Sequence, residues 1–304
     1  MSSSHIECNG TTYPVRFIYP RDSWLWKKDE WMAYTPSNAL YTLANEVTET
    51  IQKAEQLYGK KHTQKEREVF YADEIEASWL IEFEILEYPV VQKYLRTYQG
   101  VQDLEDSLHS HQDIYEEERA AVVGSLYLLS ASQNEITEED ICKAHELFGT
   151  GISDTEKRAL YGKLRPCEEL VGRLDRQTKE YLAFYEAPGP ESVPQLLSMY
   201  TNWLKTTAKN LPPVLASALA HLYFVIIHPF HDGNGRMARL IADTFLNHEN
   251  TQTPILFISP QIFDDHGRYY KNLAHASSGK DLEPFISMIL TFYRKAARNI
   301  LYPE

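Results

Sequence analysis

The stretch His228-Pro229-Phe230-His231-Asp232-Gly233-Asn234-Gly235-Arg236-Met237-Ala238-Arg239 joins two helical patterns and decides how the chain is read. Before it, Pro212-Pro213 opens an apolar helix predicted to run to about Ile227, so His228 emerges from the core at a helix C-terminus. Pro229 stops that helix, because it has no N–H to donate. Gly233 and Gly235 flank Asn234 and leave three consecutive backbone N–H groups with little steric cover, a loop able to fold as an anion-binding nest. A second helix is predicted from Arg236 to His248, and its N-terminal dipole adds positive potential at the same place. Arg236 and Arg239 are three residues apart and project from one face of its first turns, while Met237, Leu240 and Ile241 take the core face. Asp232 puts one carboxylate beside the nest, suited to a hard cation such as Mg2+ that bridges phosphates. A base, a metal carboxylate, an oxyanion cradle and two guanidiniums together suit phosphoryl or nucleotidyl transfer, where catalysis is largely positioning and charge stabilisation.

Outward from this loop the periodicity is mostly helical. Apolar spacing predicts helices over Asn38 to Tyr58, Val69 to Leu86, Val90 to Thr97 and Ile114 to Leu129. Thr137, followed by Glu138 and Glu139, is a helix-start signal, and Leu147 to Leu164 is looser. Glu169 to Arg173 and Tyr181 to Tyr185 alternate as strands about LDRQTKE, which predicts a β-hairpin. Thr11 to Tyr19, rich in β-branched and aromatic residues, predicts a short strand. Helices over Val193 to Lys205, Gln261 to Ala276 and Leu282 to Ile300 complete the chain. The fold class expected is all-α, with one hairpin.

Composition narrows the function. The 304 residues are 43% hydrophobic and 24% charged, as in an ordinary globular protein. The formal net charge of −13 repels nucleic acid and anionic membrane, so any phosphate must be gripped locally against the global field. Cys8, Cys142 and Cys167 are far apart and odd in number, which argues against a disulfide framework and for a reducing compartment. The N-terminus shows no secretory signal, and the longest apolar run, Leu222 to Ile227, is too short to span a bilayer. A cytoplasmic location, with neither nucleic acid nor membrane as partner, is the expectation.

HPFHDGNGRMAR fits, at every fixed position, the signature of Fic domains, His-x-Phe-x-Asp/Glu-Gly-Asn-Gly-Arg-x-x-Arg. The resemblance covers roughly residues 120 to 298. It implies a Fic-type helical core at 116–304, behind an N-terminal helical extension at 1–115. The activity implied is protein adenylyltransferase: AMP moves from ATP onto a Tyr, Thr or Ser hydroxyl of a target protein, and pyrophosphate leaves. By the same resemblance His228 is the general base and Phe230 packs the loop. Asp232 holds Mg2+ on the α- and β-phosphates. The backbone of Gly233 to Gly235 and the Asn234 side chain cradle the α-phosphate, and Arg236 and Arg239 hold the β- and γ-phosphates. The hairpin at about 169–185 stands where the family carries a flap that clamps target peptide by strand addition. Tyr270, in Arg268-Tyr269-Tyr270-Lys271, resembles the family's tyrosine near the nucleotide, and Ser277 stands where many relatives have Asn. A homodimer fits the family's habit.

Many Fic proteins also carry an inhibitory helix with the pattern Ser/Thr-x-x-x-Glu-Gly/Asn. Ser78-Trp79-Leu80-Ile81-Glu82-Phe83 resembles it, on a helix expected at about 69–87, with Phe83 the departure. Spaced four apart, Ser78 and Glu82 would share a helix face. The resemblance implies that Glu82 pairs with Arg239 and displaces the γ-phosphate. Transfer of UMP, phosphate or phosphocholine is the alternative inside the family. Outside it, His231-Asp232 is an HD pair, and a metal-dependent phosphohydrolase recruiting His221 and His228 would leave the glycine-flanked nest without a role. A binding module with a dead site is disfavoured, because every chemical residue of the signature is present.

Overall fold

The structure is a computed structural model describing residues 5–8, 11–61, 64–98, 116–131, 135–247 and 256–302. The expected start of a helix at Ile114, and the boundary between residues 115 and 116, touch residues outside the described ones. The helices are α1 (Asn38–Lys61), α2 (Gln64–Leu80), α3 (Tyr88–Thr97), α4 (Glu116–Ala131), α5 (Glu138–Gly149), α6 (Thr155–Arg158), α7 (Val193–Thr206), α8 (Pro213–Ile227), α9 (Asn234–Leu246), α10 (Ser259–Asp264), α11 (His266–Ser277) and α12 (Glu283–Leu301). The strands are β1 (His5–Cys8), β2 (Thr11–Phe17), β3 (Leu170–Asp175) and β4 (Glu180–Glu186).

The core is built around α8. Every residue of this helix from Val214 to Ile227 is buried, as expected of a helix that is apolar all round. It packs along α9, and α12 packs on both α8 and α1. One hydrophobic cluster runs from Trp24 through α8 to Ala297, so the N-terminal helices share the core of the later ones. Thr137 caps α5 through a full capping box: its hydroxyl accepts the Asp140 N–H, and the Asp140 carboxylate accepts the Thr137 N–H. Among the described residues, no helix is long and apolar enough to cross a membrane.

The hairpin forms, but not alone. The described strands make one sheet in the order β1-β2-β4-β3. The N-terminal β2 runs parallel to β4, pairing Val15 with Tyr181 and Phe17 with Ala183, while β3 pairs antiparallel with β4. Trp24 Nε1 and Arg21 both donate to the Glu186 carboxylate, and Trp26 Nε1 donates to its carbonyl at 2.9 Å, fixing the N-terminal segment to the end of β4. β4 is therefore covered on one side, which leaves β3 as an edge.

The helix expected to continue to Leu86 stops earlier, at Leu80. The Glu84 N–H donates to the Trp79 carbonyl, and the Phe83 N–H to the Leu80 carbonyl. That pairing is a Schellman turn, in which the residue before the last takes the left-handed conformation. Phe83 does so, with φ at 63°. Glu82 thus leaves the helix as its last half-turn rather than lying on a regular face with Ser78.

Candidate active site

His228 caps α8 in the left-handed region, with φ at 51° and its N–H on the Phe224 carbonyl. A non-glycine residue held there carries strain of order 1 kcal/mol, a feature that concentrates at functional sites. Its Nδ1 lies 3.1 Å from the Val225 carbonyl. A carbonyl can only accept, so Nδ1 carries the proton and Nε2 keeps its lone pair. Burial holds the imidazole down at about 4, so it is neutral at physiological pH. The result is a fixed, uncharged imidazole with an available lone pair on Nε2.

The loop after it is closed from inside. The Asn234 side chain accepts the Phe230 N–H at 2.9 Å and donates to the Phe230 carbonyl at 2.7 Å. In this state the side chain faces back toward Phe230 and fixes the loop. Gly233, with φ at 74°, opens α9, and its N–H is taken by Asp232 Oδ1 at 2.7 Å. The donors left for an anion are the first N–H groups of α9, at Asn234, Gly235 and Arg236, which have no carbonyl within the helix.

Asp232 is held by three cationic or hydroxyl partners. Tyr161 donates to Oδ2 at 3.1 Å, Lys157 Nζ lies 3.1 Å from the same oxygen, and Arg236 Nη2 is 3.6 Å from Oδ1. Burial alone would raise this carboxyl, but Arg236, Lys157 and the Gly233 N–H outweigh it and hold the group at about 2. Beneath the loop lies His145, stacked between Tyr161 at 4.5 Å and Phe230 at 3.7 Å. Its Nδ1 accepts the Gly162 N–H at 2.8 Å, which leaves Nε2–H to donate to the Asp232 carbonyl at 2.9 Å. Burial lowers its pKa to about 3, so it stays neutral and keeps that tautomer.

Both arginines are caught by carboxylates from the single turn that ends α2. Arg239, fully buried, donates to Ser78 Oγ at 3.0 Å, to the Ser78 carbonyl at 2.7 Å and to Glu82 Oε1 at 2.9 Å. Arg236 donates to Glu84 Oε2 at 2.5 Å and to the Tyr161 hydroxyl at 3.3 Å, with its guanidinium over the Trp79 ring. The Glu82 carboxylate sits over Gly235, where a Cβ would lie 2.3 Å from Oε1. An acidic group thus occupies the mouth of the α9 N-terminus. Tyr270, part-exposed, puts its hydroxyl 3.5 Å from the Ile81 carbonyl of the same turn. Its neighbour Tyr269 is buried on His221 Nε2 at 2.8 Å, and Ser277 is buried too.

All ten side chains or backbones singled out from the sequence therefore meet in one place: His228, Asp232, Gly233, Asn234, Gly235, Arg236, Arg239 and Tyr270, with Ser78 and Glu82 above them. Glu84, His145, Tyr161 and Lys157 were missed. Only Glu84 had a local signal, as a second acid two residues past Glu82. His221 is locked on Tyr269, and His231 faces Glu169 at 3.6 Å, so the metal cluster an HD phosphohydrolase needs does not form from these residues.

Residues 135–246 match the Fic/DOC family. A protein adenylyltransferase Fic of Drosophila grimshawi is 34% identical over 156 residues, 51% of this chain and 28% of that protein. Protein adenylyltransferase fic-1 of Caenorhabditis elegans is 29% identical over 184 residues, 60% of this chain and 32% of that protein. The chain spans about a third of the length of these curated relatives. Among solved structures, a Fic family protein from Desulfovibrio desulfuricans G20 superposes with a TM-score of 0.67 at 29% identity, covering 88% of this chain and 75% of that one. A Fic domain containing signaling protein from Bacteroides thetaiotaomicron shares the fold, with a TM-score of 0.62 at 19% identity over 85% of this chain and 95% of that one. The loop signature, intact at every fixed position, lies within the Fic/DOC match at residues 135–246, and the same helical core surrounds it in the Desulfovibrio desulfuricans G20 Fic family protein.

Proposed function

We propose that this chain is a protein adenylyltransferase whose described state is braked. The observation that carries the activity is the pairing of a neutral His228, its Nε2 lone pair free by tautomer, with an anion cradle and two guanidiniums a few residues away. His228 takes the proton of a target Tyr, Thr or Ser hydroxyl, and the oxygen attacks the α-phosphorus of ATP. The α9 N–H groups steady the charge that develops on the α-phosphate, and Arg236 and Arg239 hold the departing pyrophosphate. Asp232, ionised and part-exposed, fits one Mg2+ alongside substrate phosphates. That ion would neutralise phosphate charge, and Lys157 must yield the carboxylate to it. The names of the relatives support AMP as the group moved.

The brake rests on Glu82. Its carboxylate takes the Arg239 guanidinium and the space over Gly235, so ATP phosphates and Glu82 compete for the same donors. Glu84 doubles the contest at Arg236. Target docking is assigned to the flap at 169–185, and β3 is the strand with an open edge for strand addition.

The test is an incorporation assay with α- or γ-labelled ATP on cell lysate. It uses the Glu82→Gly protein, with Glu82→Gly/His228→Ala as the blank. Label from the α position alone, lost in the blank, is the expected result. Label from the γ position would assign phosphate transfer instead, and no label from either would remove the activity altogether.

A further inference from the structure

Cys167, Glu169 and His231 lie outside the machinery above, yet each brings a ligand atom within 4.8 Å of the other two. They come from separate segments: the lead-in to β3 and the variable position of the catalytic loop. Buried Arg165 ties those segments together. Its Nε donates to the His228 carbonyl at 2.7 Å, its Nη1 to the Cys167 carbonyl at 2.7 Å and its Nη2 to the Pro188 carbonyl. Its N–H donates to the Pro229 carbonyl at 2.9 Å, and Ala187 N–H closes on the Glu169 carbonyl at 3.1 Å. The three side chains therefore stand on backbone that is fixed, while Cys167 and His231 themselves are exposed and free to adjust.

The dimensions suit a tetrahedral ion. Zinc bonds of about 2.3 Å to sulfur and about 2.0–2.1 Å to nitrogen or oxygen put neighbouring ligand atoms roughly 3.3–3.5 Å apart. His231 Nδ1 and Glu169 Oε2 are already 3.6 Å apart. The thiol, within 4.8 Å of both, has to close in by no more than about 1.5 Å, within reach of a side-chain rotation. One thiolate, one imidazole and one carboxylate form a borderline-soft set, which selects zinc-class ions over Mg2+. Asp232, next in sequence to His231, offers only oxygen and suits the harder ion.

We propose that Cys167, Glu169 and His231 form a zinc-class transition-metal site, with a fourth position open to water, that fastens the root of the flap to the catalytic loop. Binding exchanges the Cys167 thiol proton for the metal and releases it to solvent. The bound ion adds positive charge beside Asp232 and stiffens the joint about which the β3–β4 flap meets target. The competing account is an exposed His231–Glu169 ion pair that holds no metal.

The test is Co2+ titration of the full metal-free chain, without ATP or Mg2+, followed by the thiolate-to-cobalt charge-transfer absorbance, with Zn2+ binding by calorimetry in parallel. One equivalent should bind with that band. Cys167→Ser should abolish the band, and His231→Ala and Glu169→Gln should each weaken binding by about tenfold or more. Cys8→Ser, Cys142→Ser and Asp232→Asn should keep the band. Thermal unfolding of each variant without metal checks that it folds. Cobalt bound with no thiolate band, or bound as tightly by Cys167→Ser, overturns the site. Uptake lost only in Asp232→Asn would assign the ion to the loop carboxylate and overturn it equally.

Discussion

Replacing Glu82 by Gln removes one negative charge from the turn over the cradle and changes little else in shape. In the described state Arg239 is fully buried, so its hydrogen bond to residue 82 loses its charge assistance while its two contacts to Ser78 remain. A bond to a charged group contributes about 1.5–3 kcal/mol. The Glu82 side chain is 32% exposed, and solvent screening favours the lower end, about 1.5–2 kcal/mol. At about 1.4 kcal/mol per factor of ten, the open form gains roughly 10- to 30-fold. The initial rate of AMP incorporation from α-labelled ATP should rise by that factor, and the apparent affinity for ATP with it. Glu84→Gln should act in the same direction, because Glu84 holds Arg236 from the same Schellman turn. The double variant should fall well short of the product of the two, since one release frees both arginines. A Glu82→Gln protein with wild-type rate and wild-type ATP affinity would refute the competition between carboxylate and phosphate. Full additivity of the two variants would refute the single turn as the unit of release.

Three more expectations follow from the same contacts. Phe83 is 90% exposed at a φ of 63°, so Phe83→Gly removes about 1 kcal/mol of strain at no cost in packing. It should lower the basal incorporation rate about fivefold and leave the Glu82→Gln protein unchanged in the same assay. Glu74 on α2 and Asp243 on α9 are buried together, and desolvation raises both carboxyls. The folded chain then holds a proton the unfolded chain gives up, so this stabilisation is full below about pH 4 and is lost as pH rises through neutrality. Melting temperature should fall between about pH 4 and pH 7, and Glu74→Gln should flatten the fall. His145→Phe keeps the ring stack but strands the Gly162 N–H and the Asp232 carbonyl. A loss of about 1–3 kcal/mol by denaturant unfolding, with slower transfer in the Glu82→Gln background, is expected.

How much of this was legible in the sequence depended on how local the cause was. The loop was readable because its parts are contiguous: Pro229 stops one helix, Gly233 supplies the positive φ that opens the next, and the arginines follow at helical spacing. The end of α2 was not, because its stop signal is absent. A Schellman turn normally advertises itself by glycine, and here Phe83 takes the left-handed place. The apolar pattern continues through Ile85 and Leu86, so the spacing predicts a helix on to Leu86. That error hid Glu84, which faces Arg236 only because the chain leaves the helix at Leu80. His145 and Tyr161 were hidden by distance: 87 and 71 residues separate them from Asp232, and no periodicity encodes that meeting. The parallel pairing of β2 with β4 failed for the same reason, since alternation marks a strand but not its neighbour.

The requirements for gripping phosphate also give the proposed brake a physical reason for its place. A buried guanidinium without an anion is costly, and Arg239 and Arg236 are both nearly inaccessible to water. Without nucleotide, some other anion has to serve them, and the two acids on the turn after Ser78 do so. Gly235 shows how closely the substitute copies the substrate. The missing Cβ that lets phosphate approach the α9 N-terminus is the same space the Glu82 carboxylate fills. A methyl group at position 235 would therefore evict the brake and block the cradle at once. On the proposed reading, changes on the α2 side, at Glu82, Glu84 or Phe83, separate inhibition from catalysis.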